Sequence, residues 1–268
     1  MKNIRFLFAI LIMLSALVSC QKVIQIDLNS KDPQIVIEAE VTDDTLTPQT
    51  VKITKSVNIS ESNTFPTVSG AAVSISDNLG NNVTLNETSP GVYQNSTLYG
   101  YSGRTYYLTV VAEGKTYTSV CTMPAKVPLD SILVGDGGLG GFGPGGGAKT
   151  VTPIFQDPIG RGNYYRFKLL KNDTVSNSLF LFDDEIVDGG INNRPLNSND
   201  IQIRTNDTVK VKMMCITQAV NLYFYSMSQN GSGPAASATP ANPVTNIEGA
   251  TLGYFSAHTV QIKQVIIQ

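Results

Sequence analysis

Four acidic residues, Asp183, Asp184, Glu185 and Asp188, form the densest group of carboxylates in the sequence. Hard cations such as Ca²⁺ prefer several carboxylate and carbonyl oxygens as ligands, and the glycine pair that follows would let the backbone turn around an ion. The spacing differs from that of an EF-hand, which places acids at alternating loop positions and ends on Glu. These four residues are therefore a candidate calcium site. A solvated strand end followed by a turn is the interpretation we favour, and a catalytic carboxylate pair is the third.

Cys20 is the second residue whose surroundings indicate a defined chemistry. Residues 1–19 begin with two basic side chains and continue with an apolar run at 6–18, which is shorter than the roughly 20 residues that a membrane-spanning helix needs. Residues 17–20 (LVSC) resemble the bacterial lipobox, in which the cysteine becomes the first mature residue and carries covalent lipid. We therefore predict a lipoprotein signal peptide at 1–19 and a lipidated tether at 20–33.

Nucleophilic catalysis lacks its usual signals in this chain. The chain contains a single histidine, His258, and a triad would need it beside a serine and an acid. No Gly-x-Ser-x-Gly sequence is present, and one imidazole excludes metal sites that require two. We predict that the protein is not an enzyme, that it carries no cofactor other than lipid and a possible calcium ion, and that His258 is a packing or surface residue.

Tyrosines supply most of the aromatic surface available for binding, because the chain has no tryptophan. Tyr99 and Tyr101 flank a glycine in a predicted loop, where aromatic rings are free to stack on a ligand or pack at an interface. We predict these two tyrosines as contacts for a ligand or a partner.

The charge balance argues against nucleic acid as a partner. The whole chain has 19 basic and 21 acidic residues, a formal net charge of −2, whereas nucleic-acid binding needs a basic surface. Cleavage after residue 19 would remove Lys2 and Arg5 and leave 17 bases against 21 acids. From this net charge we expect no adhesion of the mature protein to anionic lipid, and attachment through the acyl chains on Cys20.

The elements that position these residues are predicted to be strands. Short alternating apolar runs separated by turns favour an all-β fold. An immunoglobulin-like β-sandwich is predicted at 34–126 and a second β-sandwich-like domain at 151–268, joined by a glycine-rich linker or loop at 127–150. In the second domain one short helix is predicted near 218–228, from four apolar residues at helical spacing: Ala219, Leu222, Tyr223 and Met227.

Two cysteines remain in the predicted domains. Cys121 and Cys215 each lie in an alternating apolar pattern, which predicts that both point into cores and that the cores are different. Two buried free thiols are the interpretation we favour, and a disulfide, which needs the two Cα atoms within about 7 Å, is the alternative.

Several stretches, taken together and in order, resemble a Bacteroidota lipoprotein family catalogued as domain of unknown function 4249. They are residues 20–24 (CQKVI), 103–110 (GRTYYLTV), 163–167 (NYYRF), 182–185 (FDDE), 242–249 (NPVTNIEG) and 252–255 (LGYF). The resemblance covers nearly the whole mature chain. It implies a lipoprotein of the outer membrane whose gene neighbours that of a TonB-dependent receptor, and it carries no catalytic residue.

The first function hypothesis is a non-enzymatic binding or accessory module for a TonB-dependent receptor, anchored to the outer membrane through lipid on Cys20. The alternative is a structural or adhesive protein of the cell envelope. A hydrolase with two facing carboxylates is a third hypothesis. Export-competent lipoproteins of the phylum tend to carry acids just after the lipidated cysteine, whereas here residues 21–23 are Gln, Lys and Val. The periplasmic and the surface leaflet therefore both stay open.

Overall fold

Strands account for nearly all the regular structure of the protein. The computed structural model describes residues 32–58, 64–136, 148–185, 188–229, 242–250 and 252–268, and within them it has fifteen strands and one helix. The predicted signal peptide, Cys20 and the tether as far as residue 31 lie outside the described residues. The prediction of an all-β protein with one short helix is confirmed.

The first seven strands build a sandwich. They are β1 (Ile35–Thr42), β2 (Gln49–Lys55), β3 (Ala72–Asp77), β4 (Asn82–Ser89), β5 (Val92–Asn95), β6 (Thr105–Ala112) and β7 (Lys115–Thr122). Their hydrogen-bonded order is β1-β2-β5-β4-β3-β6-β7. In β6, Tyr106, Leu108 and Val110 are buried while Tyr107 and Val111 are exposed, because successive side chains of a strand point to opposite faces.

A tyrosine at the start of β6 ties the preceding loop to the sandwich. The hydroxyl oxygen of Tyr106 accepts a hydrogen bond from the amide of Tyr101 at 2.8 Å and donates to the carbonyl of Tyr99 at 3.3 Å. β6 takes the place of strand F in this order, and a tyrosine that bonds back to the upstream backbone at that corner is typical of immunoglobulin-like Greek keys. The first half is therefore an immunoglobulin-like sandwich, as predicted.

The second half packs a three-stranded sheet against a larger one. The smaller sheet has the order β13-β9-β8, and in the larger sheet β14 lies between β10 and β15. The strands are β8 (Ser131–Asp136), β9 (Lys149–Gln156), β10 (Tyr164–Lys171), β11 (Thr174–Val175), β12 (Phe180–Asp183), β13 (Ile191–Asn192), β14 (Thr208–Ile216) and β15 (Leu252–Ile266). Phe155, Phe167 and Val211 are among the buried residues between the sheets.

The helix α1 (Gln218–Gln229) lies on the opposite face of the larger sheet. Thr217 precedes it, and its hydroxyl accepts a hydrogen bond from the amide of Val220 at 3.4 Å, as an N-cap side chain does. The position of the helix agrees with the prediction, but its buried face differs. Val220, Tyr223 and Phe224 are buried, whereas Leu222 and Met227 are exposed.

β15 joins the two halves of the chain. Its first part pairs in parallel with β1 and its second part pairs antiparallel with β14. Phe255 and Ala257 of β15 consequently lie in the first core. Residues 33–268 form one compact unit, so the predicted segments 34–126 and 151–268 carry the two main cores of a single unit.

The segment predicted as a linker at 127–150 contains regular structure. β8 lies inside it, and β9 begins at Lys149. Ile132 and Val134 of β8 pack against the second core, and this burial stabilises a strand beside a glycine-rich stretch. Residues 137–147 of that stretch lie outside the described residues.

The two cysteines lie in different cores, as predicted. Cys121 belongs to the core of the first sandwich and Cys215 to the core of the second half. Both are buried and free, and burial raises the pKa of each thiol above its ordinary value.

Candidate functional site

Three aspartates converge where loops leave the strands of the second half. Asp157 follows β9, Asp184 follows β12 and Asp188 precedes β13. Carboxylate oxygens of the three lie within 4.8 Å of one another, and Asp157 and Asp184 are buried. Like charges at this distance repel, so the group needs positive or hydrogen-bonding neighbours to remain ionised.

The loop between β9 and β10 supplies those neighbours as hydrogen-bond donors. The amides of Gly162 and Asn163 donate to the two carboxylate oxygens of Asp184 at 3.1 and 3.0 Å, and the amide of Gly160 donates to Asp188 at 2.7 Å. Burial alone would raise the pKa of Asp184, but these amide hydrogen bonds outweigh it and hold that pKa below its ordinary value. Asp184 is thus an ionised carboxylate in a loop cradle.

Asp157 is held by a tyrosine and by the backbone. The Tyr165 hydroxyl donates to one of its oxygens, and the amide of Gly189 donates to the other at 3.1 Å. Burial, and then the hydrogen bond to Asp157, raise the pKa of the Tyr165 hydroxyl well above its usual range. Tyr165 therefore acts as a fixed donor that orients Asp157.

Only two of the four residues predicted to bind calcium belong to this group of aspartates. Asp184 and Asp188 belong to the group, whereas among the described residues neither Asp183 nor Glu185 does. Asp183 accepts a hydrogen bond from the amide of Glu185 at 3.3 Å. Asp157 was missed because it lies outside the acidic run. The local signal that could have found it is an aspartate directly before Pro158, at the end of a predicted strand.

The three aspartates form a donor set that suits a hard cation bound through carboxylate oxygens and water. Calcium binding at this group therefore stays a prediction. If Ca²⁺ binds, it should raise the free energy of unfolding by about 2 kcal/mol at roughly thirty times its Kd. Asp188→Asn should remove that gain, because it takes away the most exposed carboxylate of the three.

Thermal unfolding with and without Ca²⁺ measures this effect. Asp130→Asn is the matched control, since Asp130 is exposed and outside the group. A calcium-dependent shift that Asp188→Asn leaves unchanged would contradict the site.

A cleft opens next to Asp157. Its volume is about 120 Å³, and Phe155 and Tyr165, whose ring centroids lie 4.7 Å apart, form part of its wall. Asn192 and Arg194 lie at its rim. The cleft combines an aromatic wall with a few convergent polar groups, a combination typical of small-ligand sites.

Arg194 is held in place at this rim by three contacts. Its Nη2 donates to the carbonyl of Asp183 at 2.9 Å, and its Nε donates to Asn192 at 3.2 Å. Its guanidinium also lies 4.2 Å from the ring centroid of Phe182, within the range of a cation–π contact. A guanidinium held in this way is preorganised to bind an acceptor group.

The predicted contact tyrosines lie elsewhere, on the first sandwich. Tyr99 and Tyr101 are 41% and 52% exposed, and the guanidinium of Arg104 lies 4.3 Å from the Tyr101 ring centroid. Their backbones are the partners of Tyr106. The loop is therefore fixed while its two rings remain accessible, and their role as contacts stays a prediction.

Among the described residues, no helix has both the length and the apolar character that crossing a bilayer requires.

Comparison with known proteins identifies a family. No curated protein matches the chain. Among solved structures, the chain is similar to a two-domain fibronectin type-III segment from chicken tenascin, with 15% identity over 69% of this chain and 91% of that chain. The TM-score of 0.21 is too low for this likeness to support the fold, which rests on the strand order. The model of the family described as Domain of unknown function (DUF4249) matches residues 21–264, and the chain therefore belongs to that family.

Proposed function

We propose that this protein is a non-enzymatic binding module, anchored to the bacterial outer membrane by lipid on Cys20, that serves a TonB-dependent receptor. The lipobox-like residues 17–20 support the anchor. The binding role rests above all on the cleft beside Asp157, where aromatic rings and a preorganised guanidinium face the same space. The receptor is proposed from the family resemblance.

The chemistry of the cleft indicates what it would contact. The rings of Phe155 and Tyr165 provide apolar surface, and Arg194 provides a donor for a carboxylate or carbonyl oxygen. A volume of about 120 Å³ accommodates one side chain or one small ring. A loop of the receptor, or a small group of its cargo, is the matching occupant.

Site-specific photo-cross-linking in the native host tests this function. Asn193 lines the cleft and is exposed, so a photoreactive residue there should cross-link to a β-barrel receptor that mass spectrometry identifies. Leu79 is the control position, because it is exposed in a turn of the first sandwich. The Leu79 position should give no receptor adduct.

The same experiment with Cys20→Ser tests the anchor. We expect the protein to move from the membrane fraction to the soluble fraction and the Asn193 adduct to be lost, because acyl chains provide the attachment. Adducts only between copies of this chain would favour the structural or adhesive alternative. Membrane association that survives Cys20→Ser would contradict lipid anchoring.

A further inference from the structure

The surface around α1 combines apolar side chains with an absence of charge on the helix. The twelve residues of α1 include no acidic or basic residue. Leu222, Tyr225 and Met227 are 44%, 54% and 41% exposed. A surface helix usually carries charged residues on its outer face. The outer face of α1 instead exposes large apolar side chains and no charge.

Basic side chains lie on the sheet face that α1 covers in part. Alternate residues of β10 and β14, such as Phe167 and Val211, are buried in the second core, so the residues between them point to the side of α1. Four of these are basic, and we call this set the basic face: Arg166, Lys168, Lys210 and Lys212. The guanidinium of Arg166 lies 3.7 Å from the ring centroid of Phe224 in α1, which places helix and basic face side by side.

The positive charges of the basic face are only partly neutralised. Lys168 and Lys212 lie directly opposite each other in the strand register, an arrangement of like charges that destabilises a sheet. Lys210 pairs with Asp173 at 2.5 Å. Among the described residues, Arg166, Lys168 and Lys212 have no carboxylate within 4.0 Å, and the buried Nε of Arg166 has no hydrogen-bond partner.

Two glutamates of β1 point to the same side of the sheet as the basic face, and they do not neutralise its positive charge. Glu40 accepts a hydrogen bond from Tyr254 at 2.9 Å, and Glu38 lies 3.7 Å from Lys52. Burial lowers the pKa of Lys168 below its ordinary value, and Glu40 and Glu38 offset this effect only in part. Asp44 also interacts with Lys212. When Lys52 and its partner Glu38 are included, five cations stand against four carboxylates (Glu38, Glu40, Asp44 and Asp173), so a positive excess remains.

Exposed isoleucines extend the apolar surface beyond the lysines. Ile262 lies opposite Lys212 in the register of β14 and β15, and it is 56% exposed. Ile266, four residues further along the same face, is 61% exposed. The lysines are thus flanked by the exposed residues of α1 on one side and by these isoleucines on the other.

We propose that this side of the molecule docks onto an anionic lipid bilayer, with the lysines of the basic face binding headgroup phosphates and the flanking apolar side chains entering the interface. Tyrosine and leucine beside lysine form the combination that interfacial segments use, and each lysine near an anionic surface adds attraction. The net charge of the mature chain predicts no such adhesion, but net charge averages over a surface on which these cations are gathered on one side. The inference deepens the proposed function, on which its cellular setting rests.

Vesicle binding by unlipidated protein tests the docking. Residues 33–268 form one compact unit, so the chain from residue 20 onward, with Cys20→Ser, is a suitable protein. It should bind vesicles of phosphatidylcholine mixed with phosphatidylglycerol, and more weakly as salt rises. Lys168→Gln with Lys212→Gln should weaken binding about 25-fold, because each lysine contributes about fivefold.

The matched control is Lys115→Gln with Lys263→Gln, which removes the same charge from exposed positions outside the basic face and should leave binding unchanged. Leu222→Ser should weaken binding and Leu79→Ser should not. Equal binding to pure phosphatidylcholine vesicles, or equal losses in the two double variants, would overturn the docking. Self-association of the unlipidated chain without vesicle binding would overturn it in favour of a second copy. None of these results bears on lipid anchoring through Cys20. That anchoring is tested separately by the membrane fractionation of the Cys20→Ser variant described above.

Discussion

Gly253→Ala is expected to lower the free energy of unfolding by about 4 kcal/mol, because it adds steric overlap to an unfavourable backbone conformation. Gly253 has φ of +106°, and a Cβ atom there would overlap the carbonyl oxygen of Ile37 and lie 2.6 Å from its amide nitrogen. Both are backbone atoms of β1, the parallel partner of β15. Relief therefore requires the two strands to separate at the junction between the halves.

Gly80→Ala is the control for this substitution. Gly80 also has a positive φ, +87°, but a Cβ atom there meets nothing within 4 Å. It should cost about 1 kcal/mol, the usual penalty for placing alanine in this conformation. Urea unfolding of both variants separates the two contributions, and equal losses would show that the close approach of β1 to β15 is not structurally important.

The same junction explains which strands could be predicted from the sequence. Strands with one solvated face, such as β6, alternate between buried and more exposed residues, and this alternation makes them predictable from the sequence. The first part of β15 is buried almost continuously from Gly253 to Val260, because the first core lies on one face and the α1 side on the other. Burial on both faces removes the period of two, so the sequence of this part has no alternation that would predict a strand.

Helix α1 illustrates the limit of periodicity. Its apolar residues occupy more than one face, so their spacing indicates a helix and its position but not the side that packs. The structure buries Val220 and Phe224 and exposes Leu222. The proposed bilayer docking accounts for this pattern, because both faces of α1 then contact apolar surroundings.

The candidate site was predictable only where it is local in sequence. Asp184 and Asp188 lie in one acidic run, but Asp157 joins them because β9 pairs with β13 and β10 pairs with β12. These pairings depend on the packed core rather than on any pattern around Asp157. The role of Arg194 was likewise not predictable from its local sequence, because its contacts with Asp183 and Phe182 depend on where β12 ends.

Acidification from pH 7 to pH 4 is expected to lower the free energy of unfolding by about 3 kcal/mol through His258 alone. Burial lowers the pKa of His258 to about 4, and its side chain is almost entirely buried. Its Nδ1 lies 2.9 Å from the Ser256 hydroxyl, and its Nε2 has no hydrogen-bond partner among the described residues. The folded protein therefore keeps this imidazole neutral, although Glu40 opposes the effect.

The direction of the effect follows from proton binding. In the unfolded chain His258 has an ordinary pKa of about 6.5, so between pH 6.5 and 4 the unfolded state holds a proton that the folded state does not. Stability is complete above pH 6.5 and falls by about 1.4 kcal/mol per pH unit through that window. The buried carboxylate Asp184, whose pKa is lowered by folding, loses its contribution only below about pH 4.

Urea unfolding from pH 7.5 to pH 4.5 measures this slope, and His258→Gln supplies the comparison. The substitution should reduce stability at pH 7 and flatten the dependence above pH 5, whereas a loss of packing alone would lower the whole curve and keep its slope. Because the chain has one histidine, its imidazole signal in an NMR titration of the folded protein reports the same group and should stay constant from pH 7 to pH 5. A parallel curve for His258→Gln, or an imidazole that titrates near pH 6.5 in the folded state, would contradict a neutral buried histidine at the β1–β15 junction. A constant signal together with a flattened curve is the expected result, and it would show that the folded protein keeps His258 neutral down to pH 5.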